Sequence, residues 1–265
     1  MSNIVYAAIM PHPPIIINEI GKENIKLAQK TVDACDEVAK RLKNKKPDLI
    51  IIFTPHGDVG MAAVHIYNSH VFEGDFRGFG YPKIKMDYKG DTAFAHKIFK
   101  ASNDRKINCA EIRESSLDHG VLVPMYFMNK EKIKVPILPV AVSFMPLKDL
   151  FEFGRALRTA IDKSDKKVAI IASADMSHRL TPDAPAGYDE RGSVFDVSLV
   201  DLVKKMDVSG ILNFDARLAE HAGQDALWSI AMMLGAIDKL NVSHEVISYE
   251  GPFGVGYMVA GFDVI

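Results

Sequence analysis

The sequence is poor in cysteine, with two such residues among 265. Cys35 and Cys109 are far apart and form no CxxC pair, so neither a disulfide scaffold nor a cysteine-based zinc knuckle is supported. Long apolar runs are also missing, and none reaches the roughly 18 residues that cross a bilayer. The N-terminus has no basic stretch before its first apolar run. We therefore expect a cytoplasmic protein with no membrane partner.

An excess of charge of one sign is lacking as well, because 32 basic residues nearly balance 34 acidic ones. Without a long run of like charges there is no footprint for nucleic acid, so we expect small molecules or proteins as partners. Hydrophobic residues make up 48% of the chain, which is enough to fill the core of one domain of this length. The prediction is a single domain over residues 1–265.

What the chain does contain is a regular alternation of apolar strands and helical patterns. Nearly continuous apolar segments, typical of strands covered on both faces, occupy residues 4–10, 49–53, 135–142 and 168–173. Helical spacing is found at residues 25–42, 91–102, 146–163, 192–205, 208–218 and 225–240, with shorter strands at 109–113, 245–249 and 255–262. The prediction is an α/β fold with a central mainly parallel or mixed β-sheet flanked by helices, its late strands antiparallel at one edge.

Residues 68–90 break this rhythm, because they are rich in glycine and aromatic side chains and show no clean period. We interpret them as a long loop that forms a lid or a wall over a site.

Four of the nine histidines occupy special positions. His12, His56 and His178 each lie shortly beyond a predicted buried strand, and His119 lies in a glycine-punctuated turn. Because the carboxyl ends of parallel strands meet at one edge of a sheet, these side chains are expected to converge. Imidazoles bind metal ions or transfer protons near neutral pH, so the pattern predicts a metal-centred catalytic pocket.

The expected donor set is two imidazoles and one carboxylate, which suits Fe(II), Mn(II) or Zn(II) and leaves positions open for substrate. Several carboxylates stand near the histidines: Asp58, Asp118, Asp175, Glu220, Asp225 and Glu250. Position favours Asp225, which opens an apolar helix, and Glu250, which ends a strand.

Four motifs together carry a family resemblance. MPHPP at 10–14, TPHG at 54–57, LDHGVLVP at 117–124 and SADMSH at 173–178 occur in the order seen in the LigB-like class III extradiol ring-cleavage dioxygenases. The chain resembles this superfamily over essentially its whole length. Its ending, SYEGPFGVGY at 248–257, is similar to the Memo-like, AmmeMemoRadiSam-associated branch.

The resemblance implies a non-haem ferrous site in which His12 and His56 are the imidazole ligands. The implied metal is Fe(2+), with Zn(2+), Mn(2+) or Cu as alternatives in its place. His178 matches the family's acid/base histidine beside the bound oxygen, and His119 matches the histidine that contacts and protonates the substrate. The implied reaction partners are a small catechol-like aromatic substrate and O2.

The third ligand does not transfer directly. The family has a glutamate at the start of the penultimate helix, and a gapless match places Ala226 there. The carboxylate one residue earlier, Asp225, is our predicted ligand. Glu250 is the alternative, followed by Glu220 and His221.

Two functions follow from the resemblance. The first is an Fe(II)-dependent oxidoreductase that cleaves a catechol-like ring with O2. The alternative is a Memo-like metal-binding protein that acts with a radical-SAM partner in a modification pathway, without ring cleavage. Members of the superfamily pair as homodimers or with a small second subunit, and the sequence leaves that choice open.

Overall fold

Eight strands form one mixed sheet in the computed structural model, which describes residues 2–265. A separate two-stranded hairpin lies, in chain order, between the third and the fourth strand of this sheet. The strands are β1 (Ile4–Met10), β2 (Leu49–Thr54), β3 (Val64–Tyr67), β4 (Val71–Phe76), β5 (Tyr81–Lys89), β6 (Cys109–Ile112), β7 (Ile137–Ala141), β8 (Val168–Ser173), β9 (Val242–Glu250) and β10 (Tyr257–Val264).

The order across the sheet is β6-β3-β7-β2-β8-β1-β10-β9. The four central strands β7, β2, β8 and β1 are parallel to one another. On one side β3 runs antiparallel to β7 and parallel to β6, and on the other β10 and β9 add an antiparallel edge. The single α/β domain with a mixed sheet is thus confirmed, including the antiparallel placement of the late strands.

Helices cover both faces of this sheet. They are α1 (Asn18–Gly21), α2 (Gln29–Lys45), α3 (Thr92–Asp104), α4 (His119–Lys130), α5 (Leu147–Asp162), α6 (Glu190–Lys204), α7 (Val208–Leu212), α8 (Ala216–Ala222) and α9 (Ala226–Ala236), with short 3₁₀ helices at Pro14–Ile16, Lys22–Ala28 and Arg77–Phe79. Within residues 2–265, none of these helices combines the length and the apolar character that a membrane crossing requires.

The central strands are apolar at nearly every position because each face meets a different helical layer. Ala7 and Ile9 of β1 join a core with residues of α3, α5, α6 and α9, whereas Ala8 and Met10 join a core with residues of α2 and α4. Alternate side chains of a strand point to opposite faces, so both sets need apolar residues. This double coverage accounts for the continuous apolar runs.

The predicted loop at 68–90 is wrong, because these residues form the β4–β5 hairpin. Its inner side chains, among them Phe72 and Met86, are buried in the core, while charged residues such as Asp87 face outward. The alternation has a period of two, but glycine at 74 and the 3₁₀ turn at the tip interrupt it. The apolar face of the hairpin is buried against α4, and the sequence pattern alone did not reveal this packing.

Three further elements differ from the predictions. Strand β3 was not predicted, since four residues are too few for a clear period. The helix predicted from residue 25 begins as a 3₁₀ helix, and α2 starts only at Gln29. The helix predicted at 208–218 is two helices, because the carboxylate of Asp215 caps the second one by accepting from the backbone N–H of Arg217.

A close backbone approach between helices α5 and α9 depends on glycine. A Cβ at Gly154 would lie 2.1 Å from the carbonyl oxygen of Met232. We expect Gly154→Ala to lower the free energy of unfolding by about 1–3 kcal/mol, since overpacking forces the helices apart. Gly78→Ala is the control, because a Cβ there meets nothing within 4 Å, and it should change stability by less than about 0.5 kcal/mol. Equal denaturant midpoints for the two variants would contradict this packing.

Candidate metal centre

The carboxyl ends of three adjacent parallel strands bring two histidines together. β8 lies between β1 and β2, and His12 follows β1 while His56 follows β2. Their Nε2 atoms are 3.0 Å apart. Asp225, just before α9, places Oδ2 3.4 Å from His12 Nε2 and 3.6 Å from His56 Nε2. Two imidazole nitrogens and one carboxylate oxygen therefore meet at one point.

A third imidazole stands beside them. His119 is the first residue of α4, and its ring centroid lies 4.1 Å from that of His56 and 5.5 Å from that of His12. One donor nitrogen from each of the three histidines falls within 4.8 Å of the other two. The cluster thus offers three nitrogen donors in addition to the Asp225 carboxylate.

The hydroxyl of Ser173 fixes which nitrogen of His12 carries hydrogen. Ser173 Oγ lies 2.6 Å from the carbonyl oxygen of Gly120, to which it donates its only proton. It is also 2.9 Å from His12 Nδ1, so towards that nitrogen it accepts. Nδ1 of His12 is therefore protonated, and in the neutral imidazole Nε2 keeps its lone pair for a metal ion.

A buried aspartate fastens the two loops that carry these donors. The backbone N–H of His12 donates to Asp175 Oδ1 at 2.8 Å. In return, the backbone N–H of Asp175 donates to Asp225 Oδ1 at 2.8 Å, and that of Asp225 donates to the Asp175 carbonyl oxygen at 3.3 Å. One oxygen of Asp225 is held by this bond, while the other, Oδ2, faces the histidines.

The charges at the cluster favour a cation. Burial alone lowers the pKa of His12, but Asp175 and Asp225 outweigh it and raise the value to about 9. For Asp225, burial raises the pKa, but His12 reverses the shift and the pKa falls below its ordinary value. His119 has a pKa lowered to about 3 by burial, then by His12 and His56 and, less strongly, by His178. A positive charge is stabilised at His12, and His119 is neutral.

His178 lies on the loop after β8 and is oriented by backbone groups. Its Nδ1 donates to the carbonyl oxygen of Gly223 at 2.8 Å, so in the neutral ring Nε2 is free to accept a proton. Its backbone N–H donates to the carbonyl oxygen of Ala222 at 3.0 Å. The turn between α8 and α9 therefore holds both the main chain and the ring of this histidine.

Behind this loop lies a fully buried carboxylate, Asp196 of α6. Its Oδ1 accepts from the backbone N–H of Ser177 at 2.8 Å, and its Oδ2 accepts from the Tyr249 hydroxyl at 2.7 Å. Burial raises the pKa of Asp196 to about 7, although both hydrogen bonds lower it. The two bonds anchor the chain next to His178 to α6 and β9.

The hairpin brings an aromatic ring to the cluster. Phe79, in the 3₁₀ turn at its tip, is 45% exposed, and its ring centroid lies 5.2 Å from that of His119 in an edge-to-face arrangement. The hairpin is tied to the segment that enters α4, since the backbone N–H of Leu117 donates to the Glu73 carbonyl oxygen at 2.8 Å. This bond ties the strand that leads to Phe79 to the segment that leads to His119.

The alternative third ligands lie elsewhere. Glu250 Oε1 accepts from the backbone N–H and the hydroxyl of Thr31, both at 2.7 Å. Glu220 is exposed, and His221 Nδ1 lies 3.6 Å from Asp189 Oδ2. Among the four carboxyl and imidazole groups named as possible third ligands, the structure brings only Asp225 to His12 and His56.

Two residues of this site were not predicted from the sequence to have a role in it. Ser173 is the last residue of β8, and a hydroxyl at the end of an otherwise apolar strand is the signal that marks it. Asp196 shares a helical face with Leu199 and Val200, both buried, so a carboxylate within an apolar stripe marks it. Neither signal identifies the partner of the polar group, which only the fold supplies.

An α/β sheet with imidazole and carboxylate donors at the carboxyl ends of its parallel strands defines a protein with a candidate metal centre. The sequence model of one family, described as the catalytic LigB subunit of aromatic ring-opening dioxygenase, matches residues 6–260. The chain belongs to the LigB family.

Relatives fall into more than one group. Protein CA_C1420 of Clostridium acetobutylicum is 32% identical over 264 residues, which cover 95% of this chain but 56% of that protein. A 3,4-dihydroxyphenylacetate 2,3-dioxygenase of Escherichia coli is 27% identical over 89% of this chain and 91% of its own length. A MEMO1 family protein of Pyrobaculum arsenaticum is 28% identical over 62% of this chain and 56% of its own length.

The fold is also similar to a solved structure, that of the uncharacterized protein JW3007 from Escherichia coli K12. The TM-score is 0.67 at 14% sequence identity, with 97% of this chain and 99% of that chain covered. At this identity the likeness concerns the fold alone.

The tautomer argument predicts the effect of removing one hydroxyl. Ser173→Ala leaves His12 Nδ1 without its acceptor, so we expect metal affinity to fall by about 10–100-fold, as is usual when the hydrogen-bond partner of a metal ligand is removed. Ser229→Ala is the control, because Ser229 is buried on α9 and its hydroxyl has no hydrogen-bond partner within residues 2–265. Calorimetric titration with Mn(2+) measures both. Unchanged affinity in Ser173→Ala would contradict the assigned tautomer.

Proton competition predicts a pH dependence. Burial lowers the pKa of His12, but Asp175 and Asp225 raise it to about 9, so below that pH a proton must leave before metal binds. We expect the apparent metal affinity to rise with pH from about 6.5 towards about 9. In Asp225→Asn the imidazolium loses one stabilising carboxylate, so the rise should move to lower pH. A flat profile over this range would show that His12 carries no competing proton.

Proposed function

We propose that this protein is a metal-dependent dioxygenase of the extradiol type, which cleaves a catechol-like aromatic ring with O2. The observation that carries the proposal is the meeting of His12 Nε2, His56 Nε2 and Asp225 Oδ2, with two further imidazoles nearby. Membership of the LigB family supports the reaction class. A small aromatic substrate and O2 are the partners that this proposal requires.

The donor atoms fit a divalent metal ion of the Fe(2+) kind. In its neutral form His12 presents an unprotonated Nε2, because Ser173 accepts from Nδ1, and Asp225 supplies a negative charge. We assign His12, His56 and Asp225 as the ligands. Two imidazoles and one carboxylate leave coordination positions open, and a ferrous ion held there supplies binding and activation of catecholate and O2.

His178 and His119 are proposed to handle protons. His178 Nδ1 is bound to the Gly223 carbonyl oxygen, which leaves Nε2 as a base for a phenolic hydroxyl proton of the substrate. The pKa of His119, lowered to about 3 by burial and by His12 and His56, keeps this ring neutral. A neutral imidazole at the start of α4 is suited to hydrogen-bond the substrate oxygen rather than to repel the nearby cation.

Phe79 is proposed as a wall for the aromatic ring of the substrate. Its ring already packs edge-to-face against His119, and nearly half of its surface is exposed. Aromatic rings gain about 0.5–1.5 kcal/mol from such paired arrangements beyond the burial of area. This proposal keeps the role of substrate wall that the sequence suggested for residues 68–90 and assigns it to a hairpin instead of a loop.

The similarity to a MEMO1 family protein favours a second candidate function. This is the alternative that the sequence resemblance implies, a metal-binding protein that acts with a radical-SAM partner and cleaves no ring. The chain spans 56% of the Clostridium acetobutylicum relative, so the activity of that whole protein does not transfer automatically. The same metal ligands serve this candidate. The two functions differ in their partners and in whether O2 and a catechol react.

The roles within the site predict two distinct phenotypes. We expect His12→Ala to lose bound iron, whereas His178→Ala should retain iron and lose turnover by about 100-fold or more, since it removes a general base. The measurements are iron content after anaerobic loading with Fe(II), then O2 uptake and the yellow ring-fission product with a panel of catechols. His70→Ala, which removes an exposed histidine, is the control and should match the unmodified protein.

Two outcomes would overturn these assignments. Equal loss of iron in His12→Ala and His178→Ala would remove the distinction between ligand and base. No O2 uptake with any catechol by the iron-loaded protein would end the ring-cleavage proposal and favour the metal-binding candidate.

A further inference from the structure

Strand β5 of the hairpin has one free edge. It pairs with β4 on one side, and within residues 2–265 no strand pairs with its other side. A cavity of about 660 Å³ lies between residues 85–89 of β5 and the segment 133–136, which leads into β7. A cavity over one face of a strand would be lined by alternate residues, but here five consecutive residues line it. The backbone edge of β5 therefore faces this space.

The hydrogen bonds of β4 show which backbone groups of β5 point into the cavity. The N–H of Glu73 donates to the Ser115 carbonyl oxygen at 2.9 Å, and the carbonyl oxygen of Glu73 accepts from the Leu117 N–H at 2.8 Å. Both groups of Glu73 thus point away from β5. Asp87 stands opposite Glu73, so the two form a pair without mutual hydrogen bonds. The N–H and C=O of Asp87 consequently point to the free edge.

The same alternation applies two residues earlier on β5. Lys85 stands opposite Asp75 and has the same phase as Asp87, so its N–H and C=O also face the cavity. In the described part of the chain, none of these four groups has a hydrogen-bond partner. Open donors and acceptors in this arrangement are the groups to which a further strand binds.

The side chains along this edge carry an excess of positive charge. Lys85, Asp87 and Lys89 are exposed and alternate along β5, so they project from one face, and Lys134 lines the cavity from the opposite side. None of the three lysines has an acidic partner within residues 2–265. The apolar side chain of Ile133 lines the same space. The edge thus combines open backbone groups with lysines spaced four residues apart.

These charges select among the possible occupants. A second copy that paired β5 with β5 would bring lysines close to lysines, which disfavours such a pair. A polyanion with evenly spaced charges would meet Asp87 between Lys85 and Lys89. A strand with an acid opposite each lysine and an uncharged residue opposite Asp87 avoids both conflicts.

We propose that the free edge of β5 is a docking site for an acidic β-strand of a partner protein, which adds to the hairpin and places carboxylates opposite Lys85 and Lys89. This surface is separate from the histidine cluster, so the inference does not depend on the proposed function.

The first test uses a synthetic seven-residue peptide, TEVTVET, with blocked ends and a fluorescent label. In an added strand its two glutamates are spaced to face Lys85 and Lys89, with threonine opposite Asp87. The control peptide ETVTVTE has the same composition with the acids in the wrong positions. Fluorescence anisotropy with the full chain in dilute salt measures both, and we expect TEVTVET to bind at least about tenfold more tightly.

A second test asks whether the peptide binds as a strand. N-methylation of the two glutamates and N-methylation of the two valines block opposite edges of the peptide, since alternate N–H groups of a strand point to opposite sides. We expect one modified peptide to lose binding by more than about tenfold and the other to stay within about threefold.

Variants of the protein test the two parts of the edge. Joint replacement Lys85→Glu and Lys89→Glu should weaken TEVTVET by about 10-fold or more, whereas Lys97→Glu with Lys100→Glu, the same charge change at exposed positions of α3, should not. Asp87→Pro removes an N–H that takes no part in pairing with β4 and should weaken binding by about tenfold. Asp87→Ala keeps this N–H and should bind at least as tightly as the unmodified protein. Thermal melting reports on the folding of each variant.

Four results would overturn the proposal. They are absence of TEVTVET binding at millimolar concentration, equal binding of the two peptides, equal effects of the two methylation patterns, and equal effects of the β5 and α3 charge reversals. Binding of an eight-nucleotide oligothymidylate that depends on Lys85 and Lys89, without binding of TEVTVET, would assign the groove to a polyanion instead.

Discussion

The hydroxyl of Ser173 is the contact on which the candidate centre depends. It donates to the Gly120 carbonyl oxygen in α4 and accepts from His12 Nδ1 beyond β1, while it belongs to β8 itself. A single side chain thus links three elements and sets the tautomer of an imidazole. Because the serine is fully buried, no water competes for either bond. A hydroxyl suits this position because it donates and accepts at the same time.

The mixed sheet explains why this contact forms where it does. β8 lies between β1 and β2, so its last residue stands beneath the loops that follow both neighbours. His12 and His56 come from those loops, and Asp175 continues from β8 to bind the backbone of His12. The chain after β8 then carries His178, and the Gly223 carbonyl oxygen in the turn before α9 accepts from its Nδ1. Parallel neighbours with their carboxyl ends side by side are what brings residues so distant in sequence together.

Much of this arrangement could be predicted from the sequence, because buried parallel strands leave a clear signature. The bounds predicted for β1 and β8 agree with the structure, and the residues after them carry the histidines. The hairpin could not be predicted in the same way, since Phe72 and Phe76 are buried only by packing against other elements. The hydrogen bonds between Thr31 and Glu250 could not be predicted either, because the two residues are 219 positions apart in the chain. The sequence alone therefore kept Glu250 as a possible metal ligand.

The proposed third ligand, Asp225, stands one position away from the one that the family resemblance implies. The family resemblance implies a glutamate at the position that Ala226 occupies, the first residue of α9, and Ala226 is fully buried. Asp225 stands one residue earlier, outside the helix, with φ of −129° and ψ of 13°. Its side chain is one methylene shorter than that of glutamate, and its backbone N–H is held to the Asp175 carbonyl oxygen.

Because the aspartate side chain is shorter, its backbone has to lie closer to the histidines. The position one residue before the start of α9 provides this. The reciprocal bonds between Asp175 and Asp225 then fix the oxygen that faces away from the cluster, so that Oδ2 remains directed at His12 and His56. A glutamate placed at 226 would start inside α9. If it replaced Asp225 as the carboxylate, the bond from the Asp175 backbone N–H to Asp225 Oδ1 would be lost. Aspartate at 225 and alanine at 226 therefore form one structural solution, and neither residue is expected to be exchangeable without the other.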